Sequence, residues 1–315
     1  MELFISEKDL CSLMNAIQPA SKSGTLASYI PALLDADPEA FGCVIYKGES
    51  FIEAGRTKDR FTLQSVSKIV SLALALMDQG EEQVFSRVGM EPTGNPFHTI
   101  QALEKEKPSK PLNPMINAGA LVVTSLLEGN SGEETIGRFL AFLHELTGNP
   151  SIHICEKTAA SERKHADLNR SLCYFLKSHG VLKGDVEGTL DIYINQCSVL
   201  MTCRDLARIG SIIGNEGRDP ETGRGILPPR IAKIITTFMV TCGMYNASGS
   251  FAIKAGIPAK SGVSGALLGC LPDGTGIGVY SPPLDEKGNS AAGVRLLETL
   301  SEKYDLSIFS SQNRV

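Results

Sequence analysis

The stretch "FGCVIYKGESFIEAGRTKDRFTL" at 41–63 contains two short apolar runs around a polar "KGES". Apolar runs separated by a turn signal predict a β-hairpin, here followed by a third extended piece. From residue 64 onward the apolar spacing becomes helical, and it predicts helices over 64–79, 114–128, 133–146, 161–178, 188–196, 202–214 and 227–239. Loops rich in glycine and proline, such as "VGMEPTGNPF" and "GNEGRDPETGRGILPP", separate them. Near 250 the strand pattern returns: "GVSGALLGCLPDGTGIGVYSPP" predicts two strands joined at "PDGTG", and "GNSAAGVRLLETLSEKY" a closing helix. Strands at both ends of a long helical block predict a mixed α/β (α+β) fold. Its largely antiparallel sheet would be completed by both chain ends, with flanking helices and an inserted helical lobe. The cleft between the lobes is the natural place for a site.

Composition narrows the function classes. With 315 residues, 42% of them hydrophobic, the chain is long enough for one large domain or two closely packed lobes. The formal charge of -5 is spread along it without a sustained basic cluster, so neither nucleic acid nor an anionic membrane is an expected partner. A small molecule fits better. The start "MELFISEKDL" has neither a basic n-region nor an apolar h-region, and runs such as "IVSLALALM" fall short of the ~20 residues that span a bilayer. The expected location is therefore cytoplasmic. Eight scattered cysteines without a C-x-x-C pair read as reduced, mostly buried thiols. Five histidines without H-E-x-x-H or H-x-H spacing give no metal signal.

The candidate chemistry lies in "RFTLQSVSKIVSLALALM", where Ser65 and Lys68 are three apart at a helix start. Residues i and i+3 share a helical face, so the two side chains can meet. A serine hydroxyl becomes a nucleophile when a base takes its proton, and lysine serves only if its pKa falls. A helix N-terminus and an apolar, desolvated setting both push in that direction. S-x-x-K occurs again at Ser161 and Lys164, but among charged residues typical of a solvated helix start. Downstream stand Tyr193-Ile194-Asn195 and Lys260-Ser261-Gly262, the latter opening the late strand "KSGVSGALLGC". A second K-S-G, Lys22 to Gly24, precedes the serine and leads into a helix. The order S-x-x-K, Y-x-N, K-S-G is that of serine acyl-transfer enzymes of the penicillin-recognising kind.

The chain closely resembles the serine-dependent glutaminases, which share the β-lactamase-like fold of the penicillin-binding proteins. The resemblance is carried by "YIPALL" at 29–34, "FTLQSVSK" at 61–68, "VGMEPTGNPF" at 88–97, "NPMINAGAL" at 113–121, "SERKHADLNR" at 161–170 and "LDIYINQCS" at 190–198. It continues through "CGMYNASGSFAIKAGIPAKSGVSG" at 242–265 and "YSPPLDEKGNS" at 280–290, so that it spans about 25–305. It implies one domain over 1–315, with an α/β lobe of approximately 1–70 and 240–315 and a helical lobe of approximately 71–239. It also implies a homo-oligomer, dimer or tetramer, and no metal or other cofactor. "FHTI" at 97–100 departs from the family's usual Asn-Ser pair, in the loop carrying His98, and the segment between Asn169 and Tyr193 is shorter than in the animal enzymes. The long N-terminal extension and ankyrin repeats of those enzymes are not seen, so their regulation is not expected.

By residue, the resemblance implies Ser65 as nucleophile, Lys68 as base, Tyr245 as a proton-handling group and the Val263 amide in an oxyanion hole. It implies substrate contacts at Tyr29, Gln64, Asn117, Glu162, Asn169 and Tyr193. These types suit free L-glutamine: a carboxylate for its α-ammonium, and amide or phenol donors for its α-carboxylate. The expected reaction is hydrolysis of the side-chain amide through a γ-glutamyl-serine ester. Two alternatives are a β-lactamase, peptidase or esterase on the same fold, and a catalytically silent glutamine-binding module. Lys260 is left with two readings, a source of positive potential beside the site or a fixture of its strand.

Overall fold

The computed structural model describes residues 4–94 and 110–310. Strands β1 (Gly42–Lys47) and β2 (Ser50–Gly55) form the expected hairpin, closing at Lys47 opposite Ser50. The late segment supplies β5 (Ala259–Ser261), β6 (Ala266–Cys270) and β7 (Gly276–Tyr280). All pair antiparallel in the order β2-β1-β7-β6-β5, so both chain ends build one five-stranded sheet.

Alternation along the strands gives the sheet two apolar faces. Cys43, Ile45, Leu267, Ile277 and Val279 pack on one side against α1 (Glu7–Ile17) and α11 (Ala291–Tyr304), through Leu10, Leu296, Leu297 and Leu300. Val44, Tyr46, Leu268 and Tyr280 face the other side, where α8 (Cys203–Gly214) and α9 (Pro229–Cys242) lie with α2 (Ser67–Arg87), which is kinked at Gly80. Helix α8 lies close on the sheet because β7 offers glycines. A Cβ at Gly276 would stand 1.8 Å from the Ala207 carbonyl oxygen, and one at Gly278 2.0 Å from that of Cys203. A third apolar cluster joins α3 (Asn117–Thr124), α6 (Asp167–Ser178) and α7 (Val186–Cys197), through Leu121, Leu172, Leu176 and Ile194. Helix α4 (Gly132–Thr147) packs between this bundle and α8.

Three expectations need correcting. The single helix expected over 161–178 is two, α5 (Glu156–Lys164) and α6, because His165 and Ala166 leave helical geometry at φ/ψ of -117/21 and -86/14. No glycine or proline marks that break, and Ala159 and Ala166 on either side of it are buried in the same apolar cluster. The third extended piece is only β3 (Phe61–Thr62), paired outside the main sheet with β4 (Leu200–Met201), from a segment read as a loop. The late strand opened by Lys260 is likewise two strands, turned at Gly262–Gly265, with Gly265 at φ +93. Helix α1, capped by Ser6, and the short α10 (Ser248–Lys254) were not read from the pattern at all. His98 and "FHTI" lie outside the described residues.

Candidate active site

Ser65 sits at the corner where β3 turns into α2, on a one-turn 3-10 helix, Gln64–Val66. The Leu63 amide bonds the Val199 carbonyl at 2.9 Å, which holds the chain before the corner. Gln64 then takes φ +48, a left-handed conformation that costs a non-glycine residue about 1 kcal/mol or more. Such strain persists where the surroundings over-determine the backbone. Here the K-S-G turn packs on the corner: a Cβ at Gly262 would come within 2.6 Å of the Leu63 carbonyl oxygen and 3.2 Å of Val66 Cγ2. That close approach places the residue before Val263 against the serine corner. The turn's own backbone bonds, Gly262 N–H to Ala266 O and Gly265 N–H to Gly262 O, do not use the Val263 amide.

One turn further, Lys68 is 2% exposed. Burial lowers its pKa to about 8, against the smaller opposing pull of Cys197 and Glu162. Its Nζ donates to the Met115 carbonyl at 3.0 Å and to Asn117 Oδ1 at 2.7 Å. A neutral amine has two N–H bonds and one lone pair, so it can donate to both acceptors while uncharged. Asn117, the first residue of α3, passes the chain on by donating from Nδ2 to Asn169 Oδ1 at 3.0 Å, in the first turn of α6.

Glu162, near the end of α5, is 7% exposed, and its Oε2 has no hydrogen-bond partner among the described residues. Desolvation raises its pKa to about 7, opposed by a hydrogen bond from the Gln64 side chain and by the Lys68 charge. Gln64 Nε2 also reaches Thr62 Oγ1 at 3.3 Å. The residue before the nucleophile thus links the serine corner to the carboxylate.

Tyrosines enclose the centre. Tyr245, at φ +53, shares a side-chain hydrogen bond with Ser65 and donates from its hydroxyl to the Ser261 carbonyl at 3.2 Å; burial raises its pKa. Tyr193 is buried in α7, its phenol raised well above the usual value by desolvation and hydrogen-bonded to Cys197. Tyr29 is 56% exposed at the rim, yet its hydroxyl end lies in the desolvated site near Tyr245 and Glu162, which raises its pKa. Cys197 is a participant that sequence reasoning counted only as a buried thiol. It lies 3.8 Å from Ser67 Oγ and couples to Lys68, Tyr193 and Glu162, with its pKa pushed up to about 12 by burial. Nothing in its local sequence separates it from the other cysteines.

These groups meet a cleft of about 690 Å³ whose walls include Tyr29, Asn117, Glu162, Asn169 and Val263. Gln64, Ser65, Lys68, Tyr193 and Tyr245 are not among the residues lining it; Gln64 reaches the wall through its bond to Glu162, and Lys68 through its bond to Asn117. The other walls, residues 25–28, Ile30, His165, Ala166, Leu168, Asn246 and residues 284–288, were not singled out as site residues, although all but 25–28 lie in segments that carried the family resemblance. The Thr25–Leu284 bridge holds the two wall segments together. The arrangement holds a serine hydroxyl at a corner, a buried lysine of lowered pKa, a glycine-led turn and a buried carboxylate beside amide side chains.

Residues 24–309 match the sequence profile of the family described as Glutaminase. Glutaminase 1 of Halalkalibacterium halodurans is 60% identical over 290 residues, covering 92% of this chain and 94% of its own length. A glutaminase of Bacillus cytotoxicus is 53% identical over 306 residues, with 97% and 99% covered. Among solved structures, the chain is similar to Bacillus subtilis glutaminase in covalent complex with 5-oxo-L-norleucine, formed from 6-diazo-5-oxo-L-norleucine. The two share 37% identity at a TM-score of 0.88, over 96% of this chain and 99% of that one. It is also similar to Mglu in its glutamate form, with 39% identity and a TM-score of 0.92 over 99% of this chain and 71% of that one.

Proposed function

The chain belongs to the glutaminase family, and from that membership we propose that it hydrolyses the side-chain amide of L-glutamine to L-glutamate and ammonia through a γ-glutamyl ester of Ser65. It is a hydrolase with the β-lactamase-like fold of that family. The observation that carries the mechanism is the buried, unpartnered Glu162 Oε2 in a cleft wall one hydrogen-bonded residue away from the serine corner. An unpaired buried carboxylate is costly, and the α-ammonium of a bound amino acid would satisfy it.

In the proposed sequence, neutral Lys68 accepts the Ser65 proton as Oγ bonds to the amide carbon. The oxyanion forms against the Ser65 and Val263 amides. Tyr245 and Lys68 deliver a proton to the nitrogen, the C–N bond breaks, and ammonia leaves. Water then cleaves the ester, restoring Ser65 and releasing glutamate. Asn169, Asn117 and Tyr29 hold the α-carboxylate, while Tyr193 and Gln64 support the inner wall. The two lobes close the cleft as one domain, in a homo-oligomer, dimer or tetramer, that works in the cytoplasm; among the described residues no helix is long and apolar enough to cross a membrane.

The test uses 6-diazo-5-oxo-L-norleucine together with an assay of glutamate formed from glutamine. Peptide mass spectrometry is expected to find the adduct on Ser65, in step with loss of activity. An adduct on Ser161 or Cys197 would overturn the assignment.

A further inference from the structure

Lys260 is buried completely, at 0% exposure, and the mechanism above does not use it. Its Nζ donates to the Ser261 carbonyl at 2.6 Å and to the Gly243 carbonyl at 3.2 Å, and lies 4.7 Å from the centre of the Tyr245 ring. These partners are two carbonyls and an aromatic face, none of them an anion. Keeping an amine there is unfavourable for the fold, because an apolar side chain of similar volume would fill the space without a desolvation cost.

The partners share one feature: each belongs to the lodging of Tyr245. The Ser261 carbonyl that takes the Lys260 amine also takes the Tyr245 hydroxyl, at 3.2 Å. The Gly243 carbonyl opens the turn that places Tyr245 at φ +53, and it also accepts from the Ser261 amide at 3.1 Å. Lys260 therefore ties β5, the turn and the ring at one point.

We propose that Lys260 is a positioning residue for Tyr245, holding the phenol through the Ser261 carbonyl and the ring face so that its hydroxyl meets Ser65. This inference rests on the Ser65 reading above. With one lone pair of the Ser261 carbonyl occupied by the amine, the phenol is confined to the other, which fixes the direction of its hydroxyl. The ring packs with its face toward the amine, which limits how far it can slide. The lysine touches neither substrate nor the reacting atoms, and its effect passes entirely through Tyr245.

The test is Lys260→Met in the full-length enzyme, together with Tyr245→Phe and the double variant. Because an ångström of misplacement costs about 100-fold, kcat for Lys260→Met is expected to fall by about that factor with KM changed less than about twofold. The melting temperature should stay level or rise. The double variant should lose no more than Tyr245→Phe alone. Lys260→Gln, which keeps an N–H for the Ser261 carbonyl, should recover most of the lost kcat. It also supplies the comparison should Lys260→Met fail to fold. Unchanged kcat in Lys260→Met, multiplying losses in the double variant, or no advantage of glutamine over methionine would each overturn the proposal. Glutaminase activity surviving in Ser65→Ala would instead overturn the underlying reading, so the two failures are distinguishable.

Discussion

Lys68 Nζ donates to Asn117 Oδ1 at 2.7 Å, and through Asn117 and Asn169 the base of the proposed reaction is connected to the wall of the substrate cleft. Binding and proton transfer thus share a hydrogen-bonded chain. Replacing Asn117 by Asp keeps the shape but sets a carboxylate against the amine, which favours the ammonium. The acid limb of the kcat profile is expected to move up by about one pH unit or more, with rates at pH 7 lower by about tenfold. A profile superimposable on that of the wild type would mean that Lys68 is not the titrating base.

The pH dependence of the unmodified enzyme follows from two groups. Lys68, lowered to about 8, must be neutral to accept a proton, so activity is lost as pH falls through that value. Glu162, raised to about 7 by burial, must be ionised to hold an ammonium, so kcat/KM should steepen further below that pH. Bound substrate favours the carboxylate, and the lower inflection should fade from kcat. Rates of glutamate release measured from about pH 5 to 10 check this against the reference range for lysine and glutamate; a flat profile would contradict both assignments.

Glu162→Gln removes charge while preserving shape, and leaves a bound ammonium without its counter-ion. Truncating one member of a buried charge pair costs about 2–5 kcal/mol, so kcat/KM for glutamine should fall roughly 30-fold or more. A glutamine analogue lacking the α-amino group should be a poor substrate for the wild type and little worse for the variant. Unchanged glutamine kinetics would place the ammonium elsewhere.

Gly262→Ala tests the contact between the K-S-G turn and the serine corner. The added carbon would meet the Leu63 carbonyl oxygen at 2.6 Å, a backbone atom that yields only if the turn retreats. Overpacking of this kind costs about 1–3 kcal/mol of stability, and moving the Val263 amide by an ångström should lower kcat by about 100-fold. Thermal unfolding and glutamine kinetics read the two effects separately. A variant that loses stability but keeps kcat would detach Val263 from the oxyanion role.

Much of the architecture was legible because it depends on local pattern. Leu206, Ile209 and Ile213 repeat at helical spacing in α8, and the hairpin 42–55 declares itself by two apolar runs around a turn. The order of Ser65, Lys68, Tyr193, Lys260 and Gly262 was likewise in view, since side-chain chemistry and spacing are properties of the chain itself. Helix α1 could have been read: Leu10, Met14 and Ile17 lie on one face behind the Ser6 cap.

Other features depend on residues far apart in the chain. Two-residue strands at 61–62 and 200–201 have no pattern long enough to read, and exist because the partners are brought together. The break at His165–Ala166 carries no glycine or proline, and Ala166 is buried in an apolar cluster built from distant helices. Residue types named Lys68 as a candidate base, but it is desolvation in the folded chain that lowers its pKa, and acceptors from distant segments that hold its Nζ. The same holds for Lys260: its sequence left open a positive potential beside the site or a fixture of its strand, while the folded chain seats its amine over the Tyr245 ring. Periodicity and residue chemistry act over a few neighbours, whereas burial, pKa and the direction of a hydrogen bond are set by whatever the completed fold places alongside.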